Sequence, residues 1–140
     1  MKQGLPSRVI VARFDNNRDV LDGLNELVRQ NQVTAGNLTA IGTVQKASVG
    51  FFLGDGQYST VTVDGPLEIV SCVGNVSVKD NQPFVHAHII LADRNGRTYG
   101  GHLMLGCLVD ATLEVTVQAY DGIDLVRKQD PNTKLFLLDI

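Results

Sequence analysis

Along residues 113–119 apolar and polar side chains alternate without a break. Leu113, Val115, Val117 and Ala119 fall on one face of an extended chain, and Glu114, Thr116 and Gln118 on the other. That pattern predicts a strand with one buried face. Residues 58–63 (YSTVTV) alternate too, and residues 67–78 (LEIVSCVGNVSV) are rich in apolar and β-branched side chains. Residues 38–53 carry strand formers interrupted by Gly42 and Gly50, where bends or bulges are expected. The run RVIVARF, residues 8–14, is almost continuously apolar and predicts a strand buried on both sides. KLFLLDI, at the end, predicts a last short strand.

One stretch follows a different period. Val20, Leu21, Leu24, Leu27 and Val28 recur at helical spacing, with Asp19 placed to cap the start and Arg29 near the end, where a cation suits the helix dipole. Gly23 lies inside this helix and weakens it by up to about 1 kcal/mol relative to Ala, so packing must hold it. There is no repeat, linker or low-complexity segment. The expectation is one α+β domain over residues 1–140, a mostly antiparallel β-sheet packed with one main α-helix.

Composition narrows the field. With 44% apolar and 19% charged residues the chain reads as globular and long enough for a real core. No apolar run is long enough for a membrane-spanning helix, and the polar start MKQGLPSR does not read as a signal peptide, so a cytoplasmic location is expected. A net charge of −3, with no run of Lys and Arg, gives no electrostatic case for phosphate binding. The two cysteines, Cys72 and Cys107, are far apart and read as buried apolar side chains in a reducing compartment.

The candidate chemistry sits in one place. All three histidines, His86, His88 and His102, fall within FVHAHIILADRNGRTYGGHL. His86 and His88, two apart in a strand, share a face. The place of His102 depends on the turn in DRNGR. A two-residue Asn-Gly turn sets His102 on the opposite face. A three-residue loop of Arg94, Asn95 and Gly96, with Gly96 left-handed in a bulge, sets it directly across from His88. Asp93 and Gly96 suit the first and fourth positions of a type I turn, which favours the three-residue loop. Three imidazoles on one face make a natural zinc site, with a fourth position for water, carboxylate or substrate. The plainer alternative is that each His satisfies a local hydrogen bond. Glu114 or Glu68 could supply a carboxylate, directly or behind the histidines. Gly100 and Gly101 suggest a bulge or a tight crossing beside the site, or room for a ligand.

Here the sequence resembles the PPC domain, the plants and prokaryotes conserved domain. The matching residues are Pro83, His86, His88, Asp93, Gly96, the Gly100-Gly101-His102-Leu103 run and Gly106. Ala40-Ile41-Gly42-Thr43 and Gly65-Pro66-Leu67-Glu68-Ile69-Val70 extend the likeness, with Pro66 and Leu67 standing where the family has Arg and Phe. The resemblance covers nearly the whole chain. It implies a compact sheet-and-helix subunit of the stand-alone prokaryotic type that assembles as a homotrimer, with a metal bound by the histidine triad. Plant relatives attach AT-hooks that grip AT-rich DNA, while the domain itself mediates assembly and partner contacts. This sequence contains no Arg-Gly-Arg-Pro segment, so the expected DNA association is weak and indifferent to sequence. Two functions follow as expectations. One is a trimeric assembly or interaction module, with protein partners and a zinc site. The other is a small zinc-dependent enzyme activating water at His86, His88 and His102, for which no general base is identifiable. A purely structural metal, or none, is the third possibility.

Overall fold

The computed structural model describes all 140 residues. The chain forms β1 (Leu5–Phe14), α1 (Val20–Gln30), β2 (Gly36–Gly54), β3 (Gln57–Lys79), β4 (Gln82–Ala92), β5 (Thr98–Leu103), β6 (Leu108–Asp121), β7 (Arg127–Gln129) and β8 (Phe136–Leu138). Strand accounts for 65% of the residues and helix for 8%, so the fold is mostly β with one packed helix. Six strands form an antiparallel sheet in the order β1-β6-β2-β3-β4-β5. The sheet closes into a barrel because β5 returns to the second half of β2, pairing Leu103 with Val49 and His102 with Gly50.

Bulges let the long strands curve. Pairing of β2 with β3 slips around Gly42, and again where Gly65 and Pro66 face the single residue Gln45. A Cβ on Gly42 would lie 2.2 Å from the Thr112 carbonyl oxygen, at a φ of +154°, so only glycine fits. The expected bend at Gly42 is therefore present. Gly50 instead sits in regular pairing, between Thr60 on β3 and His102 on β5, with Tyr58 and Met104 pressed against it. The strands expected over 58–63 and 67–78 are halves of one strand, β3.

The core lies inside the barrel and beneath the helix. Leu113, Val115, Val117 and Ala119 are buried there, as their alternation requires. The helix buries Val20, Leu24 and Val28 completely. Asp19 caps it, its Oδ1 accepting from the Asp22 N–H at 3.0 Å while Oδ2 accepts from the Gly106 N–H at 2.7 Å. Gly23 has a packing reason: the Phe14 ring occupies the place a Cβ would need, 2.6 Å away. Asn25 reaches from the helix to accept from the Val85 N–H of β4 at 3.0 Å. Cys72 and Cys107 are buried and unpaired, and burial pushes their thiols up to about 12 and about 11.

The run over residues 8–14 does not lie between two layers. In β1 it is an edge strand, paired only with β6, and Val9 and Val11 are 57% and 75% exposed. An unbroken apolar run has no period from which to tell a covered face from an open one. The outer surface also carries Ile41, Val70, Val73 and Ile90, all about half exposed.

Candidate metal centre

In β4 the burial alternates strictly. Val85, Ala87, Ile89 and Leu91 enter the core, so His86, His88 and Ile90 point to the outer face of the barrel. The turn that follows is the three-residue loop. Asp93 and Arg97 close it, with the Asp93 N–H donating to the Arg97 carbonyl and the Gly96 N–H to the Asp93 carbonyl, both at 2.9 Å. Asp93 Oδ1 also accepts from the Asn95 and Arg97 N–H groups, and Gly96 has a φ of +76°. This loop sets the register Ala92↔Thr98 through His88↔His102, so His102 stands directly across from His88.

The three rings meet. Centroids are 5.3 Å apart for His86 and His88, 5.0 Å for His86 and His102, and 5.6 Å for His88 and His102. One ring nitrogen from each lies within 4.8 Å of the others. Zinc–nitrogen bonds of about 2.0–2.1 Å at tetrahedral angles separate ligand nitrogens by about 3.3 Å, so small ring rotations close the set. Nδ1 of His102 is buried and has no hydrogen-bond partner, an orphan that a cation would satisfy. The donor set fits zinc.

The electrostatics favour the neutral form of His86 and His102, the form a metal needs. Burial, then the Arg127 guanidinium, then the other two histidines lower His86 to about 4. Burial, then His88 and Arg127, hold His102 below the ordinary imidazole range. His88 is the exposed member of the group.

Arg127 was not visible from the sequence as part of this site. It is 8% exposed and lies 41 residues from His86, yet one of its terminal nitrogens is 3.3 Å from His86 Nδ1. It also donates to Ser77 Oγ at 2.8 Å, Asn75 Oδ1 at 2.7 Å and the Phe136 carbonyl at 2.8 Å. These bonds clamp the β7–β8 hairpin over one side of the histidines. Locally, VRKQD reads as a solvated strand end, and nothing in it signals a buried guanidinium.

The two glutamates stand elsewhere. Glu68 is exposed on β3 opposite Ala92, four residues along β4 from His88. Glu114 is exposed on β6 between Arg13 and Ile41. Neither belongs to the group of side chains that come together. Gly100 and Gly101 make a tight crossing rather than a bulge. A Cβ on Gly101 would lie 2.7 Å from the Gly50 carbonyl oxygen, and one on Gly100 would lie 3.0 Å from that of Ile89. Gly101 without a side chain lets β5 close on β2, Gly100 lets it close on β4, and together they bring His102 in.

Residues 1–121 match the Plants and Prokaryotes Conserved (PCC) domain. The chain belongs to the PCC-domain family. A metal-containing protein from Archaeoglobus fulgidus is 33% identical and superposes with a TM-score of 0.88 over 99% of both chains. A plant- and prokaryote-conserved protein from Pyrococcus horikoshii is 28% identical, with a TM-score of 0.92 over 100% of this chain and 96% of that one. The PCC domain is also similar to part of the bifunctional protein GlmU of Synechococcus sp. (strain JA-3-3Ab), 32% identical over 99% of this chain. This chain spans only 22% of that protein's length. No helix of this PCC protein is long and apolar enough to cross a membrane.

Proposed function

We propose that this PCC-domain protein is a homotrimeric assembly module carrying one zinc ion per subunit on His86, His88 and His102. The observation that carries the reading is the convergence of three ring nitrogens within 4.8 Å, together with the orphaned, buried Nδ1 of His102. The metal-containing relative from Archaeoglobus fulgidus supports a metal here without naming which one. A zinc ion on these three histidines would supply a Lewis acid able to polarise water or a carbonyl. His88 is exposed, so solvent would reach the group. A zinc-dependent enzyme is therefore the second reading.

The trimer rests on the family resemblance and on surface chemistry. Val9, Val11, Ile41, Val70, Val73 and Ile90 give the outer face an apolar character that a second copy would cover. The module is expected to work in the cytoplasm with protein partners rather than with DNA.

Elemental analysis of protein purified without chelator, followed by zinc titration of the stripped protein, tests the site. One zinc per chain, lost in His88→Ala, is expected, and absence of zinc uptake overturns the reading. Sedimentation equilibrium should give three times the 15.2 kDa chain mass. A monomer at micromolar concentration refutes the trimer.

A further inference from the structure

Arg127 is a buried cation without an anion. No carboxylate oxygen lies within 4.0 Å of its guanidinium, and its hydrogen bonds go to neutral acceptors. Lys79, half-buried nearby, has no carboxylate partner either, and its Nζ sits 4.0 Å from the Phe136 ring centroid and 5.3 Å from that of Phe84. Both cations line one cavity of about 170 Å³ together with Phe84, His86, His102 and Phe136. No acidic residue lines it. A volume near five or six waters holds a molecule of a few heavy atoms. A buried guanidinium without a counter-charge is costly, so a cavity lined by it and by Lys79 favours an anion.

The lone pairs of His86 sharpen this. A neutral imidazole has one acceptor nitrogen, and Arg127 can only donate, so the contact at 3.3 Å uses that lone pair. A metal on His86 needs the same lone pair. Once it is taken, Arg127 faces either a ring N–H or the metal itself, and a buried guanidinium N–H loses its acceptor. An oxyanion in the cavity would restore it, with its charge facing Arg127 and Lys79 and its hydrocarbon part against the aromatic rings.

We infer that the cavity between Arg127, Lys79 and the histidines binds a small carboxylate, and that metal loading and carboxylate binding reinforce each other. The inference deepens the zinc reading and rests on it. By linkage the coupling is reciprocal: the factor by which zinc tightens the carboxylate equals that by which the carboxylate tightens zinc.

The test uses the full chain, with butyrate as the probe and butyramide as its neutral isostere. Zinc affinity is measured by calorimetry with and without saturating butyrate, and butyrate affinity with and without zinc. A coupling of about tenfold is expected, from one charge-assisted hydrogen bond gained. Butyramide should give none. Arg127→Met should still bind zinc and lose the coupling. Because Arg127 also clamps the β7–β8 hairpin, Lys79→Met is the second variant, expected to weaken butyrate several-fold while the melting curve holds. Zinc that binds equally well with and without butyrate overturns the carboxylate inference and leaves the metal reading standing. Equal effects of butyrate and butyramide, or full coupling in both variants, also overturn it. Failure of zinc to bind under either condition overturns both.

Discussion

Replacing Gly101 with Ala should loosen the proposed metal site without touching a histidine. An ideal Cβ there falls 2.7 Å from the Gly50 carbonyl oxygen. A comfortable carbon–oxygen contact is about 3.3 Å, so β5 and β2 must part by about 0.6 Å. Only Val49↔Leu103 and Gly50↔His102 join these strands, and the second pair carries a proposed metal ligand, His102. Overpacking of this kind costs about 1–3 kcal/mol. At an unfolding entropy of about 2.1 cal/mol/K per residue, a chain this long should lose about 3–10 °C in Tm. Zinc affinity should fall about tenfold, because His102 moves away from His86 and His88. Gly122→Ala is the comparison. Gly122 has a φ of +71° and nothing within 4 Å, so its cost of about 1–2 kcal/mol is conformational and an added Cβ touches no histidine. Thermal melts at fixed protein concentration and zinc titrations read both effects. If Gly101→Ala melts with the parent protein, or if Gly122→Ala weakens zinc as much, the close-crossing account of His102 is wrong.

Other outcomes follow from the same geometry. In metal-free protein, His86 titrates near 4 when folded and near 6.5 when unfolded, so the unfolded chain binds more protons between those values. The His86 contribution to stability should therefore fall as pH drops from 6.5 to 4, while below 4 the hydrogen-bonded Asp93, Asp130 and Asp139 carboxylates, held below their ordinary range, take over the acid loss. The full shift corresponds to about 3 kcal/mol, cut by solvent screening to about 1–2. Denaturant melts across that range would expose the error if stability stayed flat. Asn25→Ala leaves the Val85 N–H without its acceptor and should cost about 1–3 kcal/mol, read as a lower denaturation midpoint with an unchanged slope. AT-rich duplex should bind weakly at physiological salt, given a net charge of −3. Nanomolar affinity with preference over GC-rich duplex, measured by titration of labelled DNA, would contradict this.

What could be read from the sequence was local. Asp93 and Gly96 determine the turn, the turn determines the register, and the register places His102; every step lies within one hairpin. The alternation over residues 113–119 likewise specifies its own buried face. What escaped was set by distant chain. Arg127 reaches His86 only because β7 folds back across β3, and Glu68 and Glu114 are displaced from the site by pairings formed far away in sequence. The Gly100-Gly101 pair announced a close approach but could not say that Gly50 was the partner. For β1, an apolar run without period concealed that one side lies open.

The cap on α1 has a consequence in time. Asp19 divides its carboxylate between the helix's own Asp22 N–H and the N–H of Gly106, 87 residues later. The Val20 N–H donates to the Cys107 carbonyl at 2.8 Å, so the first turn of the helix is stitched to the segment between β5 and β6. During synthesis the helix leaves the ribosome long before that segment exists. An 11-residue helix is marginal in water by itself. It must wait, fraying at its start, until the last strand of the barrel arrives. Amide exchange in its first turn should then slow together with that of β6, as one cooperative unit, rather than with the helix's own later turns.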